Sequence, residues 1–148
     1  MFTGIVEEQG EIAYINIRGE SGSLEVKAKK VLEGTKIGDS IAVNGVCLTV
    51  TSLFPDGFKA DVMAETVRRS SFKNCKRGSK VNLERAMAAN GRFGGHIVSG
   101  HIDGIGVISS MIREENAVWV SIETSHEILH LIVEKGSVCI DGISLTVA

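Results

Sequence analysis

With 148 residues, 43% hydrophobic and 23% charged, the chain can close one cored domain or at most two small ones, and it is too apolar to be disordered. Sixteen Lys and Arg against 18 Asp and Glu leave a formal net charge of -2, which gives no reason to expect a nucleic-acid or anionic-membrane partner. Cys47, Cys75 and Cys139 form neither an even framework nor a CxxC pair, no apolar run reaches the roughly 20 residues of a bilayer span, and the start MFTGIVEE lacks the build of a signal peptide. A cytoplasmic protein that handles small molecules or other chains is expected.

Seventeen Gly against one Pro predict short strands joined by tight turns, an all-β fold. Ser23 to Ala28 alternates apolar and polar residues, the period of a half-buried strand. Asn44-Gly45 lies between Ile41/Val43 and Val46/Leu48 and predicts a hairpin, because a type I′ turn needs positive φ at both central residues. Pro55-Asp56-Gly57 turns the chain into a strand at Phe58 to Met63, Ala64 to Arg69 has room for a helical turn or two, and Gly78 precedes a strand at Ser79 to Glu84. Six strands and a short helix in about 88 residues fit a small closed barrel. Beyond it come Gly100 to Gly104, strands from Val107 to Met111 and Val118 to Ile122, a helical stretch near His126 to Ile132, and a second hairpin on Asp141-Gly142.

One segment returns about 97 residues later. Ser40-Ile41-Ala42-Val43-Asn44-Gly45-Val46-Cys47-Leu48-Thr49-Val50 aligns with Ser137-Val138-Cys139-Ile140-Asp141-Gly142-Ile143-Ser144-Leu145-Thr146-Val147, and Thr3-Gly4-Ile5-Val6 falls on Ser99-Gly100-His101-Ile102. The expected organisation is a first barrel over 1–89, a linker and strand entry over 90–98, and a second barrel over 99–148. The second copy lacks counterparts of Phe58 to Met63 and Ser79 to Glu84, so an incomplete barrel with unpaired strand edges is expected, a piece of a longer chain or one completed by a partner.

Cys47 and Ser144 occupy the same repeat position. As a pair they suit two copies of one ligand; taken singly, a Cys here also reads as a small core hydrophobe and a Ser as a turn hydroxyl. Gly94-Gly95-His96-Ile97-Val98-Ser99-Gly100-His101 joins the copies. His101 can move protons near neutral pH, whereas His96 reads as an ordinary linker residue. No HExxH, paired CxxC, GxGxxG, GxxxxGK[ST] or GxSxG motif occurs, so neither a metal nor a nucleotide cofactor nor a Ser-His-acid hydrolase is expected.

Several blocks in order carry a resemblance: Met1 to Val6, Asn44 to Val50, Glu65-Thr66, Gly94 to His101 and Ile140 to Val147. On these the chain resembles the riboflavin synthase family of the alpha type. The resemblance implies two tandem six-stranded Greek-key barrels, the second incomplete here, and a homotrimer with sites between the first barrel of one subunit and the second of its neighbour. It implies a dismutation in which two molecules of 6,7-dimethyl-8-ribityllumazine exchange a four-carbon unit, giving riboflavin and 5-amino-6-(ribitylamino)uracil, with no external cofactor. Carried over by position, it implies a first pocket of Gly4, Ile5, Val6, Cys47, Leu48, Thr49 and Asp61, Val62, Met63, Ala64, Glu65, Thr66. The second pocket implied is Gly100, His101, Ile102, Lys135, Ser144, Leu145 and Thr146. Within that set His101 is expected to carry the proton, Ser144 and Thr146 to hydrogen-bond developing charge, and Cys47 to act as nucleophile or polarising contact. A non-catalytic lumazine or flavin carrier on the same fold is the alternative.

Overall fold

The computed structural model describes residues 1–148. Strands β1 (Glu8–Arg18), β2 (Ser21–Lys27), β3 (Ser40–Val43), β4 (Val46–Phe54), β5 (Gly57–Met63) and β6 (Lys80–Arg85) close an antiparallel barrel in the order β1-β2-β5-β4-β3-β6. That order makes it the expected Greek-key arrangement. Helix α1 (Ala64–Arg68) follows β5 directly and buries Ala64 and Val67. The β3–β4 connection is the turn written in the sequence: Asn44 and Gly45 take φ of 46° and 78°.

Alternate residues of these strands point inward. Ile12, Leu24, Val26, Ile41, Val43, Leu48, Phe58, Val81 and Leu83 belong to one core cluster of 16 buried residues, all between Ile12 and Leu83. Fully burying each of the larger side chains is worth about 1.5–3 kcal/mol, so this cluster dominates the stability of the molecule. β1 was not legible as a clean alternation, because its pairing with β2 shifts register between Ile12 and Tyr14. Such a bulge moves the later apolar residues to the other phase of the pleat.

The second copy supplies β7 (Gly106–Glu114) and β8 (Ala117–Thr124), a four-residue helix α2 (His126–Leu129), and β9 (Ser137–Ile140) paired with β10 (Ile143–Thr146). The helix stops at Leu129, shorter than the stretch to Ile132 that the sequence suggested. Each hairpin is a separate two-stranded sheet, and Ile108, Met111, Ile112, Val118 and Trp119 are exposed. The Asp141-Gly142 turn repeats the first one, with φ of 47° and 81°. No helix is long and apolar enough to cross a membrane.

Candidate functional site

In the β3–β4 hairpin Ile41, Val43 and Leu48 face the barrel core, which sends the opposed pair Ala42 and Cys47 outward. The β9–β10 hairpin presents its equivalent pair, Cys139 and Ser144. Phe2 and Val98 are buried with Ala42 in a second, three-membered cluster, and both Cys47 and Cys139 pack on it. Phe2 and Val98 are themselves repeat equivalents. Each donates its N–H to the other's carbonyl, at 2.8 and 3.0 Å, so they pair across an approximate twofold axis between the copies. The hairpin tips meet on the same axis: a Cβ on Gly45 would lie 2.9 Å from Gly142 N, and one on Gly142 2.8 Å from Gly45 N.

Around this axis each copy's opening segment crosses the other copy's hairpin. Ser144 N–H donates to Gly4 O at 2.7 Å, and Cys47 N–H donates to Gly100 O at 2.9 Å. The crossings are close. A Cβ on Gly4 would stand 2.8 Å from Ser144 Cβ, and one on Gly100 would stand 2.6 Å from Cys47 Cβ. Both glycines also have positive φ, 75° and 83°, so both requirements select glycine at these two positions.

Buried polar groups hold the first crossing. Glu84 on β6 accepts from Thr3 N at 2.7 Å, Thr3 Oγ1 at 2.7 Å and Gly4 N at 3.0 Å, which keeps the Gly4 carbonyl aimed at Ser144. Asn82 ties both tips to the barrel: its N–H donates to Asn44 Oδ1 at 2.8 Å and its side-chain amide donates to Asp141 O at 3.0 Å. Burial, ahead of the neighbouring carboxylates, pushes the Cys139 thiol up, so this cysteine stays protonated beside Ser144.

This geometry regroups the residues singled out in the sequence. Gly4, with Ile5 and Val6 following, lies against Ser144 rather than Cys47; Gly100, with His101 and Ile102 following, lies against Cys47 rather than Ser144. The His101 side chain is exposed and forms no hydrogen bond within the chain, and nothing joins it to Thr146, which is paired with Ser137 and exposed. Leu48 faces the barrel core, whereas Thr49 and Leu145 are exposed. Val50 opposes Ala60, so Cys47 and Met63 lie toward the same end of the barrel. There Asp61 and Met63 point to solvent, Val62 and Ala64 are buried, Thr66 is half-buried, and Glu65 is ion-paired with Arg68 and Arg69. Two open grooves, lined in part by Lys27, Pro55 and Asp56 and by Glu8, Glu11 and Lys80, contain none of these residues.

Two positions, Lys135 of the implied second pocket and the linker residue His96, have geometry that spacing did not show. Lys135 has φ of 62°, where the repeat-equivalent Gly38 has 97°, and both donate to the end of the following hairpin, Lys135 to Val147 O at 2.8 Å and Gly38 to Val50 O at 2.9 Å. A non-glycine residue in this conformation costs on the order of 1 kcal/mol. The other is His96, which does not behave as an ordinary linker residue: its Nδ1 lies 2.7 Å from Ser144 Oγ. Gly95 beside it was the available clue, since a Cβ there would run into the Thr3 carbonyl.

The Lumazine binding domain family matches residues 3–86 and 99–148, the two copies in turn. Riboflavin synthase of Actinobacillus pleuropneumoniae is 58% identical over 147 residues, 99% of this chain and 68% of that protein. This chain belongs to the riboflavin synthase family. Riboflavin synthases of Bacillus subtilis (strain 168) and Mycobacterium tuberculosis (strain CDC 1551 / Oshkosh) are each 50% identical, over 99% and 100% of this chain and 68% and 74% of theirs. Among solved structures, LumP complexed with riboflavin superposes with a TM-score of 0.89 at 26% identity, covering 99% of this chain and 79% of that one. LumP complexed with 6,7-dimethyl-8-(1'-D-ribityl) lumazine gives 0.86 at 26% identity, over 99% and 78%.

Proposed function

We propose that the chain is a riboflavin synthase, a transferase that converts two 6,7-dimethyl-8-ribityllumazine molecules into riboflavin and 5-amino-6-(ribitylamino)uracil. The single observation that carries this beyond family membership is the twofold crossing of the copies. One reaction between two identical heterocycles calls for two like cradles. One half of the site is Gly4, Ile5 and Val6 with Ser144, Leu145, Thr146 and Lys135; the other is Cys47, Leu48 and Thr49 with Gly100, His101, Ile102 and the stretch Asp61 to Thr66. The same reading divides the chain at 1–89, 90–98 and 99–148, places it in the cytoplasm, and assembles it as a trimer whose sites draw on two subunits.

One lumazine loses a proton from its C7 methyl, and the electron-poor ring carries the resulting charge; the other is attacked at C7. Atoms balance between the two substrates and the two products, so no external donor is consumed. Holding the rings in register supplies much of the acceleration, since effective molarities of well-oriented pairs reach about 10⁵ M or more. His101 carries the proton, Ser144 and Thr146 hydrogen-bond developing charge, and Cys47 contacts the ring in the other half.

Incubation with 6,7-dimethyl-8-ribityllumazine, followed by flavin fluorescence, tests this: riboflavin and the pyrimidine should form in equal amounts. Ser144→Ala and His101→Gln should each slow turnover while lumazine binding persists. The LumP complexes support a second reading, a lumazine or flavin carrier, and bound lumazine with no flavin formed would establish it over the enzyme.

A further inference from the structure

The connection between the copies passes beneath the opening segment, where His96 N–H donates to Thr3 O at 3.0 Å and the half-buried imidazole reaches Ser144 Oγ at 2.7 Å. Gly95 permits the approach, because a Cβ there would fall 2.8 Å from Ser144 Cβ and 3.0 Å from its Oγ. Ser144 is thereby held from both sides. Its N–H is fixed by Gly4 and its hydroxyl by His96.

The equivalent position has only half of this arrangement. Cys47 N–H is bound to Gly100 O in the same way as Ser144 N–H to Gly4 O, yet its thiol forms no hydrogen bond in the chain. At the shared repeat position the two halves differ in chemistry: a hydroxyl backed by an imidazole faces one, an unbonded thiol the other. Dismutation requires such a difference, since two identical molecules must take unlike roles.

We propose that His96 is a positioning residue for Ser144, and that this pair makes the Ser144 half of the site chemically distinct from the Cys47 half. The proposal rests on the riboflavin synthase reading above. A serine hydroxyl rotates freely about its Cβ–Oγ bond, and a ring nitrogen at hydrogen-bond distance selects one orientation. With the ring neutral and its proton on Nε2, Nδ1 accepts the hydroxyl hydrogen and leaves the Oγ lone pairs free for a donor on the heterocycle.

A double-mutant cycle on the full chain decides the matter, read as flavin formation from 6,7-dimethyl-8-ribityllumazine. His96→Leu should lower kcat about 10- to 100-fold with KM changed by less than about threefold. His96→Asn, whose amide reaches the place of Nδ1, should recover most of that loss. In a Ser144→Ala background His96→Leu should cost no more than about twofold, because its only route of action is gone. Effects that multiply in the double variant, or an Asn variant no better than Leu, overturn the proposal. Independently of turnover, the His96 Nδ1 nitrogen resonance of the unliganded chain should shift in Ser144→Ala, and an unchanged resonance also overturns it. A wild-type chain that forms no flavin defeats the enzymatic reading, while the resonance still reports on the pair.

Discussion

The two hairpins that carry Cys47 and Ser144 are near copies in sequence and in turn geometry, yet their burial differs. In β3–β4, Ile41, Val43, Val46 and Leu48 lie inside the barrel; in β9–β10 their equivalents Val138 and Ile140 are half-buried, and Ile143 and Leu145 are 39% and 40% exposed. The difference lies in the neighbours. β3 is flanked by β4 and β6, and β4 by β3 and β5, whereas β9 and β10 pair only with each other. A hairpin can be specified by its own turn, while a core needs strands that return from far along the chain.

The sharpest way to break the comparison is to shorten the same position in both copies. Ile41→Ala removes a fully buried side chain and should cost roughly 2–5 kcal/mol in urea unfolding, whereas Val138→Ala should cost about 1 kcal/mol or less. Equal losses would mean that the second copy is as well packed as the first.

Next in size is the crossing itself. Gly100→Ala forces a Cβ against Cys47 and Phe2 at positive φ, and should destabilise the chain by about 1–3 kcal/mol. Gly19→Ala, also at positive φ but with nothing within 4 Å, isolates the backbone part of that cost and should fall below it. If the two melt alike, the copies are not wedged together at Gly100.

A smaller effect with opposite signs is expected at Lys135. Lys135→Gly relieves the left-handed backbone and should raise stability by up to about 1 kcal/mol, while weakening lumazine binding measured by fluorescence quenching. Unchanged binding would remove Lys135 from the Ser144 half.

The smallest effect concerns pH. Burial raises the Glu7 carboxyl, but hydrogen bonds from the Arg85 side chain and backbone outweigh this, and its pKa lies below the ordinary carboxylate value. A depressed folded pKa adds stability that is present above the unfolded pKa and lost as pH falls through the folded one. Stability of the wild type should therefore decline on acidification below about pH 4.5, and Glu7→Gln should flatten that decline by under about 1 kcal/mol, the pair being partly open to solvent. An unchanged acid limb would exclude the pair as its source.

What could be read in the sequence was local or repeated. Asn44-Gly45 and Asp141-Gly142 announced their turns because two adjacent positive φ angles demand such residues. Alternation marked β2, the Pro55-Asp56-Gly57 turn marked the start of β5, and the offset between the copies pointed to Cys47 and Ser144 together. β1 escaped because a single bulge reverses its phase. The partition of the site escaped as well: residues grouped by sequence, Gly4 with Cys47 and Gly100 with Ser144, were exchanged in space.

The sequence by itself thus determined most strands other than β1, the twin turns, the doubled segment and the family. Only the tertiary structure decided which opening segment crosses which hairpin, that Glu84 clamps Thr3 and Gly4 from β6, and that His96 reaches Ser144. Periodicity and turn chemistry act over a few residues, so a chain displays them along its length. Contacts 48 to 81 residues apart arise where surfaces meet, and spacing along the chain does not encode which surfaces those are.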